Sequence, residues 1–227
     1  MVDVVCIGAH PDDVELGMGA TIVKMVQAGA RVAIVDLTDG EPTPFGTPER
    51  RAAEAAEAAR MLGVERVTLG LPNRALADTV EARRAVAEVL RALRPRVVVG
   101  PYPVDAHPDH VAASQIVLSA RFWAKLSKAG LAGEPHYPRR IYQYAAVHSA
   151  LALVPSFVVP VGEDAIQAKL AALGAYRSQF IENTANAQVI DRVELKTRHW
   201  GSLVGAAGGE PFFATEVLGV ESLTSLV

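Results

Sequence analysis

The stretch VDVVCIGAHPDDVELGMGATIVKMVQAG, residues 2–29, decides the fold class. A short apolar run, Val2–Ile7, leads through a polar turn into a segment of helical period, Val14–Ala28, which stops at Gly29. A buried strand followed directly by a helix is the first half of a β-α-β unit, the building block of parallel sheets. This stretch therefore predicts an α/β protein.

The same alternation continues along the chain. Further strands are predicted at Arg31–Leu37, Arg66–Leu69, Val97–Gly100, Arg140–Val147 and Phe157–Val161, with an edge strand at Ala214–Val220. Further helices are predicted at Pro48–Leu62, Thr79–Leu93, Asp109–Lys128, Asp164–Arg177 and Arg192–Val204. No internal repeat or linker divides the pattern. We expect residues 1–227 to form a single domain, a three-layer sandwich with a mostly parallel sheet.

Composition limits the partners of this protein. The 227 residues are 50% hydrophobic and 21% charged, which supports a sizeable core and excludes disordered and fibrous classes. The net charge of −3 gives no support to a nucleic-acid or membrane-binding surface. The single cysteine, Cys6, allows no intramolecular disulfide, and no signal peptide or membrane helix is evident. We expect a cytoplasmic protein.

The turn after the first strand argues against a dinucleotide site. Such a site needs the pattern G-x-G-x-x-G, whereas Gly8–Asp13 reads GAHPDD and places two carboxylates where phosphates would bind. Asp36 near the end of the second strand could imitate a ribose-binding acid, but solvation of the strand end is a sufficient explanation. Gly17 and Gly19 in the first helix are expected to allow close packing. NAD binding is disfavoured.

Two similar motifs occupy equivalent places in the pattern. AHPDD at Ala9–Asp13 and HPDH at His107–His110 each follow a predicted strand and precede a predicted helix. In the common strand order 3-2-1-4-5, the first and fourth strands are neighbours at the topological switch point. The two motifs are therefore expected to meet in one crevice.

The residue types in that crevice suit a hydrolytic metal. Imidazole and carboxylate bind zinc well, and a catalytic zinc keeps three protein ligands and one open position. The predicted ligands are His10, Asp13 and His110. Asp12 is expected to accept a proton from water, and His107 and Asp109 to form a second pair. Capping of the following helices is the alternative for Asp12 and Asp109. No role is required of His136, His148 and His199.

These motifs closely resemble the LmbE-like, or PIG-L, family of zinc-dependent N-acetylglucosaminyl deacetylases. The resemblance covers Ala9–Ile22, Asp36–Val64, HPDH at His107–His110 and YRSQF at Tyr176–Phe180. It implies a Rossmann-like fold and hydrolysis of the N-acetyl group of an amino sugar, with release of acetate and a free amine. It also implies one Zn²⁺ per chain, with Fe²⁺ as an alternative in the cell, and a homo-oligomer, specifically a hexamer.

The resemblance assigns roles by motif position. The ligands again fall on His10, Asp13 and His110, the general base on Asp12, the general acid or oxyanion-stabilising residue on His107, and its charge partner on Asp109. Arg51 corresponds to an arginine that contacts substrate, although a register shift of one would select Arg50. Tyr176 and Gln179 either approach substrate or pack on a helix face. Glu15 is expected to stabilise the amino end of the first helix.

The substrate is less narrowly defined. AHPDD and TPERR at residues 47–51 are most similar to the bacillithiol-pathway branch, which acts on N-acetylglucosaminyl-malate. Mycothiol-type conjugates, chitooligosaccharides and antibiotic precursors would use the same chemistry and stay open as alternatives, because selectivity is expected to lie in loops such as Thr38–Thr47 and Leu71–Asp78. Phosphoester hydrolysis would need more carboxylates, and a binding module would not need Asp12 and His107 beside a complete ligand set.

Overall fold

A computed structural model of the chain describes residues 1–146 and 153–222. Its strands are β1 (Val4–Gly8), β2 (Val32–Asp36), β3 (Glu65–Thr68), β4 (Val97–Pro101), β5 (Arg140–Tyr144), β6 (Phe157–Val161) and β7 (Gly208–Phe213). Its helices are α1 (Asp13–Gln27), α2 (Pro48–Leu62), α3 (Val80–Leu93), α4 (Pro108–Ala124), α5 (Glu163–Gly174), α6 (Arg177–Phe180) and α7 (Val189–Leu203). Within the described ranges, no helix has the length and apolar character needed to cross a membrane.

All of these strands join one sheet, in the order β3-β2-β1-β4-β5-β7-β6. The five strands β1 to β5 run parallel to one another, whereas β7 lies between β5 and β6 and is antiparallel to both. The first five strands have the predicted order, so β1 and β4 are neighbours and Cys6 pairs with Val99. The order brings the two motif-bearing strand ends to the same edge of the sheet.

Helices cover both faces of the sheet. On β1, Val4 and Cys6 face a core formed with α1, α2, α5 and α7, whereas Val5 and Ile7 face a second core formed with α3 and α4. Because both faces are buried, the strand reads as a continuous apolar run rather than as an alternation. The predicted fold class, a Rossmann-like three-layer sandwich with a mostly parallel sheet, is confirmed.

The glycines of α1 allow close packing, as predicted. A Cβ atom on Gly17 would overlap the ring of Tyr144, and one on Gly19 would lie 3.0 Å from the side chain of Lys169. The helix is interrupted at Met18, which has a φ of −149°. The first part of α1, which carries Asp13, is therefore held closely against β5.

The second part of α1 has its own cap from a distant strand. The Glu210 carboxylate on β7 accepts hydrogen bonds from the backbone N–H groups of Ala20, at 3.2 Å, and Thr21, at 2.7 Å. Lys169 Nζ lies 2.6 Å from the same carboxylate and balances its charge. The break in α1 is thus supported by a buried ion pair rather than left unsatisfied.

In the carboxyl-terminal third, the structure differs from two predictions. The edge strand predicted at Ala214–Val220 is wrong, because the last described strand, β7, ends at Phe213 and lies inside the sheet. The Gly208-Gly209 pair allows the backbones of β7 and Gly201 on α7 to approach closely. The helix predicted to reach Arg177 stops at Gly174, and the short helix α6 follows.

Candidate active site

The two motifs meet at the carboxyl edge of the sheet, as predicted. Residues 9–12 connect β1 to α1, and residues 102–107 connect β4 to α4. They border a cavity of about 200 Å³. Its polar walls include His10, Asp12, Asp13, Thr43, Arg51, Asn73, Arg74, His107, His110, Gln179 and Asn186. The cavity therefore contains most of the side chains to which the sequence assigned a role.

His10, Asp13 and His110 form a compact donor set at the base of this cavity. One ligand atom of each lies within 4.8 Å of the others. The Asp13 carboxylate is central, with one oxygen 3.4 Å from His10 Nδ1 and the other 3.2 Å from His110 Nε2. All three residues are buried. Two imidazoles and one carboxylate converging in this way fit a divalent transition metal with an open coordination position.

A carboxylate lies beside the second ring nitrogen of each predicted ligand histidine, His110 and His10. Asp105 Oδ2 lies 3.3 Å from His110 Nδ1, and Asp109 Oδ2 lies 3.2 Å from His10 Nε2. A carboxylate on the second ring nitrogen fixes the orientation and tautomer of a ligand histidine. Sequence reasoning missed Asp105, although a second acid beside Asp109 in the strand-end loop VDAHPDH was the available signal.

Asp109 has a wider role than the predicted pairing with His107. Its backbone N–H donates to His107 Nδ1 at 3.2 Å, so the contact between these two residues runs through the main chain. Its carboxylate faces His10 and accepts a hydrogen bond from the backbone N–H of Arg74 at 2.7 Å. Asp109 therefore connects His10 and His107 to the loop that follows β3.

His107 lies in surroundings that favour its neutral form. Its ring is 4.7 Å from that of His110 and 4.8 Å from that of His10, measured between centroids. Partial burial and the two neighbouring imidazoles lower the pKa of His107, against an opposing effect of the Asp109 charge. Because Nδ1 accepts the backbone hydrogen bond, the proton of the neutral ring belongs on Nε2. His107 is thus prepared to donate a hydrogen bond into the cavity.

The side chain of Asp12 contacts Arg51 and does not cap α1. Its side chain makes no cap hydrogen bond to α1, so the capping alternative is wrong for this residue. Instead, Asp12 Oδ2 accepts a hydrogen bond from Arg51 Nη2 at 2.8 Å. Burial raises the pKa of Asp12 to about 7, although Arg51 opposes the shift. A buried carboxylate with such a pKa can both take up and return a proton near neutrality.

The structure distinguishes between the two adjacent arginines. Arg51 lines the cavity and is only 3% exposed, whereas Arg50 lies at the surface and pairs with Glu54 and Glu182. Nη2 of Arg51 contacts Asp12, but Nε and Nη1 are buried and have no hydrogen-bond partner among the described residues. Arg51 therefore lies at the cavity wall and keeps two buried donors without such a partner.

Other cavity residues come from the loops at Thr38–Thr47 and Leu71–Asp78, which were expected to set selectivity for the substrate. Asn73 and Arg74 lie in the loop between β3 and α3, and Thr43 lies in the loop before α2. Gln179 lines the cavity and donates to Thr43 Oγ1 at 3.0 Å, which joins α6 to that loop. A position after a parallel strand was the signal for Asn73 and Arg74, since such loops share one edge of the sheet.

A buried ion network lies beneath the cavity and corrects two expectations. Glu15 and Asp36 are both fully buried, so neither solvation of a strand end nor a simple effect at the helix terminus explains them. Arg66 on β3 contacts Glu15 Oε1 at 2.5 Å and grips the Asp36 carboxylate at 2.6 and 2.8 Å. Tyr176 donates its hydroxyl to Glu15 at 2.7 Å. Buried charges require such partners.

The remaining histidines contribute nothing to this cavity where they are described. His136 Nε2 lies 2.7 Å from the Pro95 carbonyl oxygen, which is a structural contact. His199 is exposed on α7. His148 lies outside the described residues.

Comparisons with known proteins agree on one family. Residues 5–121 match the PIG-L family model, described as GlcNAc-PI de-N-acetylase. The diacetylchitobiose deacetylase of Thermococcus kodakarensis is 32% identical over 201 residues, which cover 79% of this chain and 71% of that protein. A 1D-myo-inositol 2-acetamido-2-deoxy-alpha-D-glucopyranoside deacetylase of Saccharopolyspora erythraea is 33% identical over 226 residues, which cover 75% of this chain and 81% of that protein.

A solved structure shares the fold along nearly the whole length of both chains. The crystal structure of a conserved protein from Thermus thermophilus has a TM-score of 0.89 and 41% identity, covering 97% of this chain and 98% of that one. The match to the family model thus extends over the two motifs that form the cavity. The chain belongs to the PIG-L family of de-N-acetylases, which are hydrolytic enzymes acting on amide bonds.

Proposed function

We propose that this protein hydrolyses the N-acetyl group of a small N-acetylglucosamine conjugate in a reaction that depends on zinc. The observation that carries the proposal is the convergence of His10, Asp13 and His110 on one point, with Asp12 and His107 beside it in the same cavity. The deacetylase names of the curated relatives support the same chemistry.

The donor set suits the proposed metal. Neutral imidazoles and one carboxylate favour Zn²⁺, and Fe²⁺ accepts the same ligands, so iron remains the alternative in the cell. His10, Asp13 and His110 would hold the ion, with Asp105 and Asp109 orienting the two imidazoles. When bound, a divalent ion polarises the amide carbonyl and lowers the pKa of the attacking water.

Asp12 is the proposed general base. Its carboxylate lines the cavity and is held in position by Arg51, so it can accept a proton as water attacks the acetamide carbon. A pKa near 7 also lets Asp12 return that proton to the leaving amine. One carboxylate would then serve both proton transfers.

His107 is the proposed oxyanion-stabilising residue. A neutral imidazole with its proton on Nε2 donates a hydrogen bond but is a poor source of a proton. The lowered pKa of His107 favours that form, and the backbone N–H of Asp109 holds the ring by its other nitrogen. A hydrogen bond aimed at the developing negative charge stabilises the tetrahedral intermediate. This assignment leaves protonation of the amine to Asp12.

Arg51 is the proposed substrate-binding residue, and its neighbours define the class of substrate. Its guanidinium, together with Asn73, Arg74 and Gln179, makes a polar cavity suited to hydroxyl and carboxylate groups. Different observations favour different substrates. The relatives named above favour a chitooligosaccharide or an inositol conjugate, whereas the positive charge of Arg51 at the cavity wall favours the anionic N-acetylglucosaminyl-malate.

A substrate panel tests the proposal. Acetate release would be measured from diacetylchitobiose, N-acetylglucosaminyl-inositol and N-acetylglucosaminyl-malate, using chelator-treated protein reloaded with Zn²⁺ or Fe²⁺. We expect release from at least one member, lost on chelation and restored by metal. Activity that survives complete metal removal would contradict the metal assignment. No release from any member would contradict the substrate class.

The proposal also covers the oligomeric state and the location of the protein. We propose that the chain acts as one domain in the cytoplasm, assembled as a homo-oligomer, and the family resemblance suggests a hexamer. Light scattering coupled to size-exclusion chromatography measures the assembled mass, which is expected to be a multiple of 24.1 kDa. A monomeric mass at working concentration would contradict the oligomer.

A further inference from the structure

Tyr176 occupies a fully buried position between two charged groups. It directly precedes α6, in the YRSQF segment, and has no exposed surface. Its hydroxyl donates to Glu15 Oε1 at 2.7 Å, and the guanidinium carbon of Arg51 lies 5.5 Å from the centre of its ring. The residue thus connects the ion network beneath the cavity to an arginine that lines it.

The hydroxyl end of this tyrosine is anchored firmly. Glu15 is held by Arg66 at 2.5 Å, and Arg66 in turn is held by two hydrogen bonds to Asp36. These groups are buried, so water competes little for their hydrogen bonds. Because tyrosine has only two side-chain torsions, fixing its hydroxyl also fixes the plane of its ring.

The arginine on the other side of the ring spans a strained turn. Nη2 of Arg51 donates both to the carbonyl oxygen of Pro11 and to Asp12 Oδ2. Asp12 lies between these two contacts with a φ of 105°, in the region that residues with a side chain rarely adopt. The Arg51 guanidinium therefore helps to hold Asp12 in a backbone conformation that is unfavourable for a residue with a side chain.

We infer that Tyr176 is a positioning residue that fixes the Arg51 guanidinium across the turn and thereby fixes Asp12. An aromatic face attracts a guanidinium and restricts the rotamers of a long side chain. Small displacements of a base relative to its substrate reduce the rate strongly. The effect on rate rests on the proposed function, whereas the effect on the position of Arg51 does not.

Two substitutions distinguish the contribution of the Tyr176 ring from that of its hydroxyl. Tyr176→Leu removes the aromatic face and is expected to lower kcat for acetate release about tenfold, the fold-change that a buried cation–π contact supports. Tyr176→Phe keeps the face but releases the ring from Glu15, so it should lower kcat clearly less than Tyr176→Leu. Tyr142→Leu, a change on β5 outside the cavity, is the matched control and should leave kcat unchanged. Equal losses for the leucine and phenylalanine variants of Tyr176 would overturn the role of the ring.

A double-mutant cycle tests whether Tyr176 acts through Arg51. If it does, Tyr176→Leu should lower kcat little further in an Arg51→Ala background, because the group that it positions is already absent. A loss of stability alone would instead give effects that multiply. Losses that multiply would overturn the inference. Should Tyr176→Leu fail to fold, Tyr176→Met takes its place in the same cycle.

A structural measurement decides the inference without activity. In crystal structures of the wild type and Tyr176→Leu, the contact between Arg51 Nη2 and Asp12 Oδ2 should be present in the first and lost or split between conformers in the second. An unchanged single conformer in the variant would overturn the inference. If the wild type releases no acetate, the proposed function fails, and this comparison still decides whether Tyr176 positions Arg51.

Discussion

The substitution Asp12→Asn isolates the proposed proton transfer from the architecture around it. Asparagine has nearly the same shape, and its amide oxygen can still accept the hydrogen bond that Arg51 Nη2 donates to Asp12 at 2.8 Å. The proposed ligands His10, Asp13 and His110 keep their contacts. What disappears is the capacity of residue 12 to accept a proton.

The size of the effect follows from that loss. Positioned proton transfer contributes about 10²–10⁴-fold to a rate, which corresponds to roughly 3–5 kcal/mol of activation free energy. We therefore expect kcat of Asp12→Asn to fall at least about 100-fold, with metal content unchanged. Acetate release at saturating substrate gives kcat, and elemental analysis gives metal per chain.

A matched control separates charge from position. Asp39 lies on the loop after β2, accepts a hydrogen bond from the backbone N–H of Glu41 and does not line the cavity. Asp39→Asn removes the same charge but keeps an oxygen that can accept the hydrogen bond from Glu41, so it should leave kcat within about twofold. Near-normal turnover by Asp12→Asn would refute the base assignment. Loss of metal from that variant would mean that Asp12 belongs to the ligand set.

Three further predictions concern the same cavity. His110→Ala should lose bound metal, and a full equivalent of zinc by elemental analysis would exclude His110 as a ligand. Arg51→Ala should raise KM for N-acetylglucosaminyl-malate and lower kcat. Arg50→Ala should leave both unchanged, because Arg50 does not line the cavity and its pair with Glu182 is at the surface. Steady-state kinetics giving the reverse would move the role to Arg50. A base works only when deprotonated, so kcat/KM should fall as the pH drops below the pKa of Asp12, which is about 7 without metal and lower beside a bound cation. Asp12→Asn should abolish this acid limb in the pH profile, and its persistence would assign the limb to another group.

Much of the fold was predictable because it depends on local pattern. The β1-turn-α1 unit could be recognised from its apolar run and helical period, and the order of the first five strands followed from the common topology of parallel sheets. The predicted edge strand at Ala214–Val220 was wrong, because the strand lies at Gly208–Phe213, where Gly208 and Gly209 allow the close approach of α7. A contact between segments distant in sequence leaves no periodic signal.

The candidate site divides in the same way. His10, Asp13 and His110 were identifiable because two short motifs repeat at equivalent strand ends. The partners of Asp109 and the burial of Glu15 were not, since they depend on where β3 and its loop lie in space. Motif spacing indicates which residue types are available, but it does not show which atoms they face.

The amino-acid sequence by itself determined the α/β class and the turn that carries AHPDD, because these follow from neighbouring residues. Only the tertiary structure decided that Arg51 rather than Arg50 faces the cavity, and that Tyr176 joins it to the buried charges. Adjacent residues on a helix point about 100° apart, so a register that the sequence leaves open is settled only by what the helix packs against. Here α2 turns Arg51 toward Asp12 and leaves Arg50 at the surface.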